Sequence, residues 1–272
     1  MPLIMSKNLA AFVLASLTRL IAFADDNVSA DRAAPIDANQ TKRSDFRYSI
    51  GFGAANLPYF DASSDSRWRV LPFGDLRYKS LFLSPIKGAG VDLPIGVGAS
   101  FSPAISYRAE RDESDDDALK GLGDASAEAT YGASIGFARP AAILGASAFR
   151  GFSSGATAYR ISVAFPFRPN ENWTIAPAFS AQFGDRKYNQ TYYGISAAQS
   201  ANSRYDRYNP SGGATDVSVS LAISRRVTPT VSVNLFARHK RFVDQAADSP
   251  LIKAEGDSQN NFGAMIVYSP RR

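Results

Sequence analysis

The chain has no cysteine and a single histidine, His239, among its 272 residues. That excludes disulfides, thiolate metal centres, Cys nucleophiles and multi-His metal sites, and leaves any chemistry to carboxylates, hydroxyls, Lys or Arg. Charge is sparse, at 20% of residues. Long apolar runs are missing as well: nothing approaches the ~20 consecutive residues that a membrane-crossing helix needs. What remains is rich in Gly, Ser and Ala with 12% aromatics, a composition that suits sheet better than long helices.

The first residues, "MPLIMSKNLAAFVLASLTRLIAFADD", place Lys7 before the apolar run Leu9 to Leu17 and end in Ala22-Phe23-Ala24. This order is that of a secretory signal peptide over 1–24, with a small-x-small cleavage site; the run is too short for a spanning anchor. Cleavage removes the basic Lys7 and Arg19 and no acid, which reduces the formal net charge of +5. A secreted chain of such modest charge has no evident nucleic-acid partner. Residues 25–45 are polar and aperiodic and read as a disordered periplasmic lead-in.

From Phe46 onward a period of two takes over. In "WTIAPAFSAQF" the residues Trp173, Ile175, Pro177, Phe179, Ala181 and Phe183 alternate with Thr174, Ala176, Ala178, Ser180 and Gln182. "FRYSIGFGA", "IGVGASFSPAISYR", "YRISVAFPF", "DVSVSLAIS" and "NFGAMIVY" carry the same alternation, the signature of half-buried strands. A soluble sandwich and a membrane barrel both alternate, and the polar face separates them. Here it holds Gly, Ser, Ala and Arg rather than the Lys, Glu and Thr of a water-exposed sheet, as a crowded lumen would. The segments are also long, matching the ~9–11 tilted residues that cross a bilayer. Aromatics such as Phe46, Tyr48, Tyr107, Tyr159, Trp173 and Tyr268 sit near segment ends, where an interfacial girdle belongs.

The reading is therefore all-β: a transmembrane antiparallel β-barrel over 46–268, with a C-terminal tail at 269–272. Short periplasmic turns are expected at Tyr78–Ser80, Leu93–Pro94, Arg139–Ala141, Arg168–Asn172 and Thr228–Thr230. Long extracellular loops alternate with them, among them "LPYFDASSDSR", "ERDESDDDALKGLGD" and "VDQAADSPLIKAEGDSQN". The tally is about twelve strands, with ten as the alternative because "LFLSPI" and "AGVDL" form a weak pair.

Several residue sets stand out. The loop "RDESDDD" offers Asp112, Glu113, Asp115, Asp116 and Asp117 beside Arg111, a weak candidate for Ca²⁺ or for the divalent ions that bridge lipopolysaccharide, against a plain solvated acidic loop. His239 lies on apolar parity near the outer rim; with Arg241 two positions on, where a His-x-Ser deacylase motif needs Ser, it reads as interfacial. Arg47, Arg67, Arg69, Arg77, Arg108, Arg160 and Arg238 fall on lumen parity, with Asp75 and Glu128 as counter-charges. Such a lumen either favours anions when water-filled or closes as an internal salt-bridge network.

The blocks "YSIGFGAANLPYFDASSDSRWRVLPFGDLRY", "DALKGLGD", "YNQTYYGISAAQSA" and "AADSPLIK", in this order, resemble the MltA-interacting protein / OmpV family of outer-membrane proteins across nearly the whole mature chain. The resemblance implies a Gram-negative outer-membrane barrel with no catalytic residues and no cofactor, in contact with outer-membrane lipid and lipopolysaccharide. It further implies a scaffold that joins a lytic transglycosylase to a murein synthase. "YYGISAAQSA" resembles the family's long outward loop, expected to fold over or into the lumen and to form a constriction with Tyr192 and Tyr193. The ending "VYSPRR" departs from the terminal aromatic usual for such barrels. Two functions stay open: a scaffold for murein-processing enzymes, and a small passive channel for anionic or small polar solutes.

Overall fold

The computed structural model describes residues 45–270. The expected signal peptide, nearly all of the lead-in and the last two residues of the expected tail lie outside the described residues.

Strand alternation translates directly into wall geometry. In β13 (Val231–Phe242) Leu235, Ala237, His239 and Arg241 are exposed, while Asn234, Phe236, Lys240 and Phe242 are buried. Outward residues face lipid and inward ones fill the lumen, because successive side chains of a strand point to opposite faces. The other strands are β1 (Phe46–Pro58), β2 (Ser66–Tyr78), β3 (Leu81–Ser84), β4 (Gly88–Val91), β5 (Leu93–Gly96), β6 (Ala99–Arg108), β7 (Glu128–Ala138), β8 (Ile143–Gly151), β9 (Thr157–Ala164), β10 (Phe167–Asn170), β11 (Trp173–Gly184), β12 (Gly213–Arg226) and β14 (Ser258–Tyr268). β4 and β5 both run along β6 and make one broken wall strand. β9 and β10 likewise share one side of β11, interrupted at Phe165 and Pro166. With β14 hydrogen-bonded to β1, the wall closes as 12 antiparallel strands and leaves no terminal edge.

Close approach at the seam falls on glycine. A Cβ at Gly53 would lie 2.2 Å from the Ala264 carbonyl oxygen, and one at Gly263 would lie 2.6 Å from that of Ala54. The β1 and β14 backbones come that close only because neither position has a side chain.

Three expectations need correction. Leu93–Pro94 is not a turn: it is paired strand, and the chain reverses at Val97–Gly98, where Gly98 takes φ +70°. A Pro at the start of an alternating run hid a short strand, so "IGVGASFSPAISYR" is a hairpin rather than one segment. Long and short connections do not alternate strictly, since the outer ends also carry the short links Pro85–Lys87 and 152–156. Finally, the interior is not uniformly polar. Leu57, Leu71, Phe73, Ile86, Phe236, Met265 and Val267 form a buried apolar cluster inside the barrel.

Candidate functional site

The outer mouth carries a cap with its own hydrophobic core. Between β11 and β12 the chain forms α1 (Arg186–Tyr192) and α2 (Ala197–Asn202); between β13 and β14 it forms α3 (Asp244–Ala247) and α4 (Pro250–Glu255). Local chemistry starts the first two. Asp185 accepts the Tyr188 N–H at 2.8 Å, and Ser196 with Gln199 makes a reciprocal capping box. Phe60, Leu119, Leu122, Ala156, Tyr193, Ile195, Phe242, Leu251 and Ile252 pack together above the barrel. Every outer connection except Pro85–Lys87 contributes to this core.

Hydrogen bonds to backbone lock the cap. Ser249 Oγ donates to the Tyr193 carbonyl at 2.7 Å, Arg111 Nη1 to the Tyr192 carbonyl at 3.2 Å, and the Tyr205 hydroxyl to the Ala118 carbonyl at 2.9 Å. Tyr193 is 1% exposed, and the Tyr188 and Tyr192 rings meet tilted with centres 4.7 Å apart. Burial pushes the Tyr192 hydroxyl up to about 12 and raises that of Tyr193 well above its usual value, so both stay neutral. The two tyrosines singled out in the sequence thus sit within the cap and at its underside.

Beneath the cap lies a band of paired charges. Arg108 Nη1 meets Glu128 at 2.8 Å, and Glu128 also accepts from Ser153 Oγ and Ser154 Oγ. Arg238 meets Asp216 at 3.3 Å, with side chains only 9% and 2% exposed. Arg160 donates to Gln182, and Lys240 pairs with Asp61 from the β1–β2 loop. Burial alone would raise the Asp61 carboxyl, but Lys240, Arg238 and Arg160 together hold it below its usual value. At the periplasmic end Arg77 bridges Asp75 at 3.1 Å and Asp92 at 3.0 Å, and Arg47 stands opposite it in register. Arg67 reaches Asp115 at 3.7 Å and stacks on Tyr59.

The interior arginines of the sequence reading are thus spread over three levels rather than gathered in one ring. Asp216, Lys240, Asp61, Asp92 and Gln182 join them. Asp216 and Lys240 continue the inward parity of β12 and β13 and were legible on that ground; Asp61 lies in a loop where no period applies. The acidic loop does not converge. Asp112 caps the Ser114 N–H, Asp115 faces Arg67, Asp116 takes Ala118 N–H and Ser63 Oγ, and Asp117 pairs with Lys120. Among the described residues no three acidic or His side chains cluster as a metal site. His239 points outward and shares a 2.9 Å hydrogen bond with Asn260, while Arg241 pairs with Asp257 at 3.0 Å.

The periplasmic rim has a polar hollow of about 470 Å³ formed by Asn170, Glu171, Asn172, Trp173, Arg225, Arg226 and Val227. Arg225 lies 5.3 Å over the Trp173 ring. Sequence reading placed Trp173 in a girdle and missed that two strand ends bring both arginines to it.

Comparison with known proteins gives one family: the one described as MltA-interacting protein MipA matches residues 50–270. No curated protein sequence matches the chain. Among solved structures, the chain is similar to the COG4313 outer membrane channel from Pseudomonas putida F1, with 10% identity, coverage of 87% of this chain and 100% of that one, and a TM-score of 0.42. It is similar to OmpT of Vibrio cholerae at 10% identity, 85% and 99% coverage and TM-score 0.36. OprD from Pseudomonas aeruginosa aligns at 12% identity, over 81% of this chain and 65% of that one, with TM-score 0.36.

Proposed function

The chain belongs to the MltA-interacting protein MipA family, and from that premise we propose that this outer-membrane barrel is a non-enzymatic docking protein for murein-processing enzymes, engaged at its periplasmic rim. The carrying observation is the contrast between the two ends. The outer mouth is filled by a packed cap, whereas the periplasmic end presents the hollow beside Trp173, Arg225 and Arg226. Lys79 and Arg139 lie on other short turns of that rim and Arg168 on the strand that leads into the hollow, so basic groups outnumber Glu171 on the surface available to a periplasmic partner. Aromatic and Arg side chains are the types that anchor protein interfaces. A lytic transglycosylase and a murein synthase are the partners this reading assigns.

The test is a pull-down of purified transglycosylase by the folded barrel in detergent, repeated with Trp173→Ala and with Arg225→Ala/Arg226→Ala. Loss of capture in both variants, with folding intact, is the expected result; undiminished capture refutes the rim as the contact.

The second reading, a narrow channel for anionic or small polar solutes, is favoured by the inward Arg108, Arg160 and Arg238. Against it stand their ion pairs and the cap. Planar-bilayer recording decides: a silent folded barrel leaves docking, and steady anion-selective steps establish conduction.

A further inference from the structure

The closed barrel wall is only partly paired on one side. β2 carries Tyr78 at its periplasmic end and Trp68 at its outer end, both outward. Ten residues at ~3.3 Å, tilted by ~40°, span the ~25 Å apolar band of a barrel. Yet β3 pairs only with Leu76, Arg77 and Tyr78 of β2, and β4 pairs with β6 only at Ala89–Ile105 and Gly90–Ala104. Above this hairpin, at the depth of the outer leaflet, no described strand fills the space between β2 and β6. Val70, 78% exposed, marks the flank of the gap.

The direction of the backbone follows from two bonds. Lys79 N–H donates to Asp45 and Tyr59 N–H to Asp65; with an unbroken register between them, the odd residues of β2 bond to β1 and the even ones face the gap. The N–H groups of Trp68, Val70 and Gly74 and the carbonyls of Trp68, Val70, Pro72 and Gly74 therefore lack a sheet partner among the described residues. Hydrocarbon offers such groups no hydrogen-bond partner, so this edge needs polar company. Pro72 has no N–H to give, which spoils the edge for a docking strand.

Behind the gap lie Leu71, Phe73 and Ile86, the last on the hairpin tip. Above it stand the two guanidinium groups of Arg67, which pairs with Asp115, and Arg69. Apolar below, cationic above, with free backbone donors between, the opening matches a molecule with an acyl chain and an anionic head. The cap, which includes every outer connection but Pro85–Lys87, blocks the route from the top and leaves this side uncovered.

We infer that the β3–β4 hairpin is a lateral gate through which a single-chain anionic amphiphile passes between the outer leaflet and the barrel interior, with Ile86 as the plug. Three register pairs on one side and two on the other fasten it weakly, while the full-length strands around it are paired along most of their length. The inference is independent of the docking reading above.

The chain has no cysteine, which allows a reversible lock. Leu76→Cys with Leu83→Cys, and Ala89→Cys with Ile105→Cys, join residues that stand directly opposite. The reporter is Phe73→Trp in a Trp68→Phe/Trp173→Phe background, with Leu71→Trp as the second reporter should the first not fold. The probe is dibromostearate added to the folded barrel in detergent. Expected are saturable quenching of the interior Trp, at least a tenfold fall on oxidising the locks, and recovery with reductant. The methyl ester of the probe should bind at least fivefold more weakly, a preference that Arg67→Gln removes. An unquenched interior Trp, or equal quenching in locked and unlocked protein, overturns the gate. Equal binding of acid and ester overturns the anionic head.

Discussion

Replacing Tyr193 by Ala tests whether the cap is a folded unit rather than draped loop. Tyr193 is 1% exposed and packs 6.1 Å from Phe242, ring centre to ring centre. Emptying a buried aromatic site costs about 3–5 kcal/mol. The bond from Ser249 goes to the Tyr193 backbone carbonyl and survives the change, so the lower figure applies. The barrel wall does not depend on this side chain, and the loss falls on the local equilibrium between closed and open cap. At about 1.4 kcal/mol per tenfold, 3 kcal/mol raises the open fraction roughly a hundredfold. Trypsin reads that fraction, because Arg186 and Lys187 lie in helix α1 and are cut only when it unfolds. The measurement is the rate of nicking after these residues in detergent at neutral pH, on barrel whose folding is verified by heat-modifiable migration. An acceleration under about fivefold refutes the idea that the aromatic core holds the outer segments down.

Four further outcomes follow from the same geometry. Deleting Tyr192 to Ala201 removes the end of α1 and most of α2 and raises bilayer conductance; an unchanged pore sinks the constriction. Asp61 lies below its usual pKa of 3.8, so its stabilisation is complete above that value and lost as pH falls through the folded pKa beneath it. Hydrogen exchange at Phe60 and Ala62 therefore quickens on acidification below about pH 4, and Asp61→Asn flattens that response. Arg238→Met strands the buried Asp216 carboxylate and lowers stability by about 3–5 kcal/mol in urea titrations, whereas the double change with Asp216→Leu recovers most of it. Gly98→Ala forces a side chain to φ +70° and to 2.3 Å from the Ala138 carbonyl; it costs at least about 1 kcal/mol and shifts the urea midpoint down.

Strand parity made the barrel readable. Wherever an outward residue had to meet lipid, as along β11 and β13, the alternation was strict and fixed inside from outside. It misled where the interior itself turned apolar. Met265 and Val267 look like lipid-facing residues until β14 is set against Phe236 and Phe73, because a pattern of two records a change of face and not its polarity. Arg108, Arg160 and Arg238 were legible as inward residues, but their partners were not, since ion pairs are made by strands and loops distant in sequence: Asp61 reaches Lys240 across 179 positions. A loop over the lumen was legible, but the helices of the cap and the core its loops share were not, for a related reason. Helices of four to seven residues carry too few turns to show a helical period, and their apolar residues find one another only across loops.

The seam between the first and last strands has a bearing on biogenesis. Ser49 and Ser269 share a 2.7 Å hydrogen bond although 220 positions separate them, and Ile50 faces Tyr268 in register. A nascent chain therefore gains its closing contacts only when its final strand has been delivered. Until then both β1 and β13 present raw edges to every neighbouring polypeptide, and loop-closure entropy makes the meeting slow. A copy shortened by one strand would be not a smaller cylinder but an open ribbon, in need of escort by periplasmic holdases until disposal.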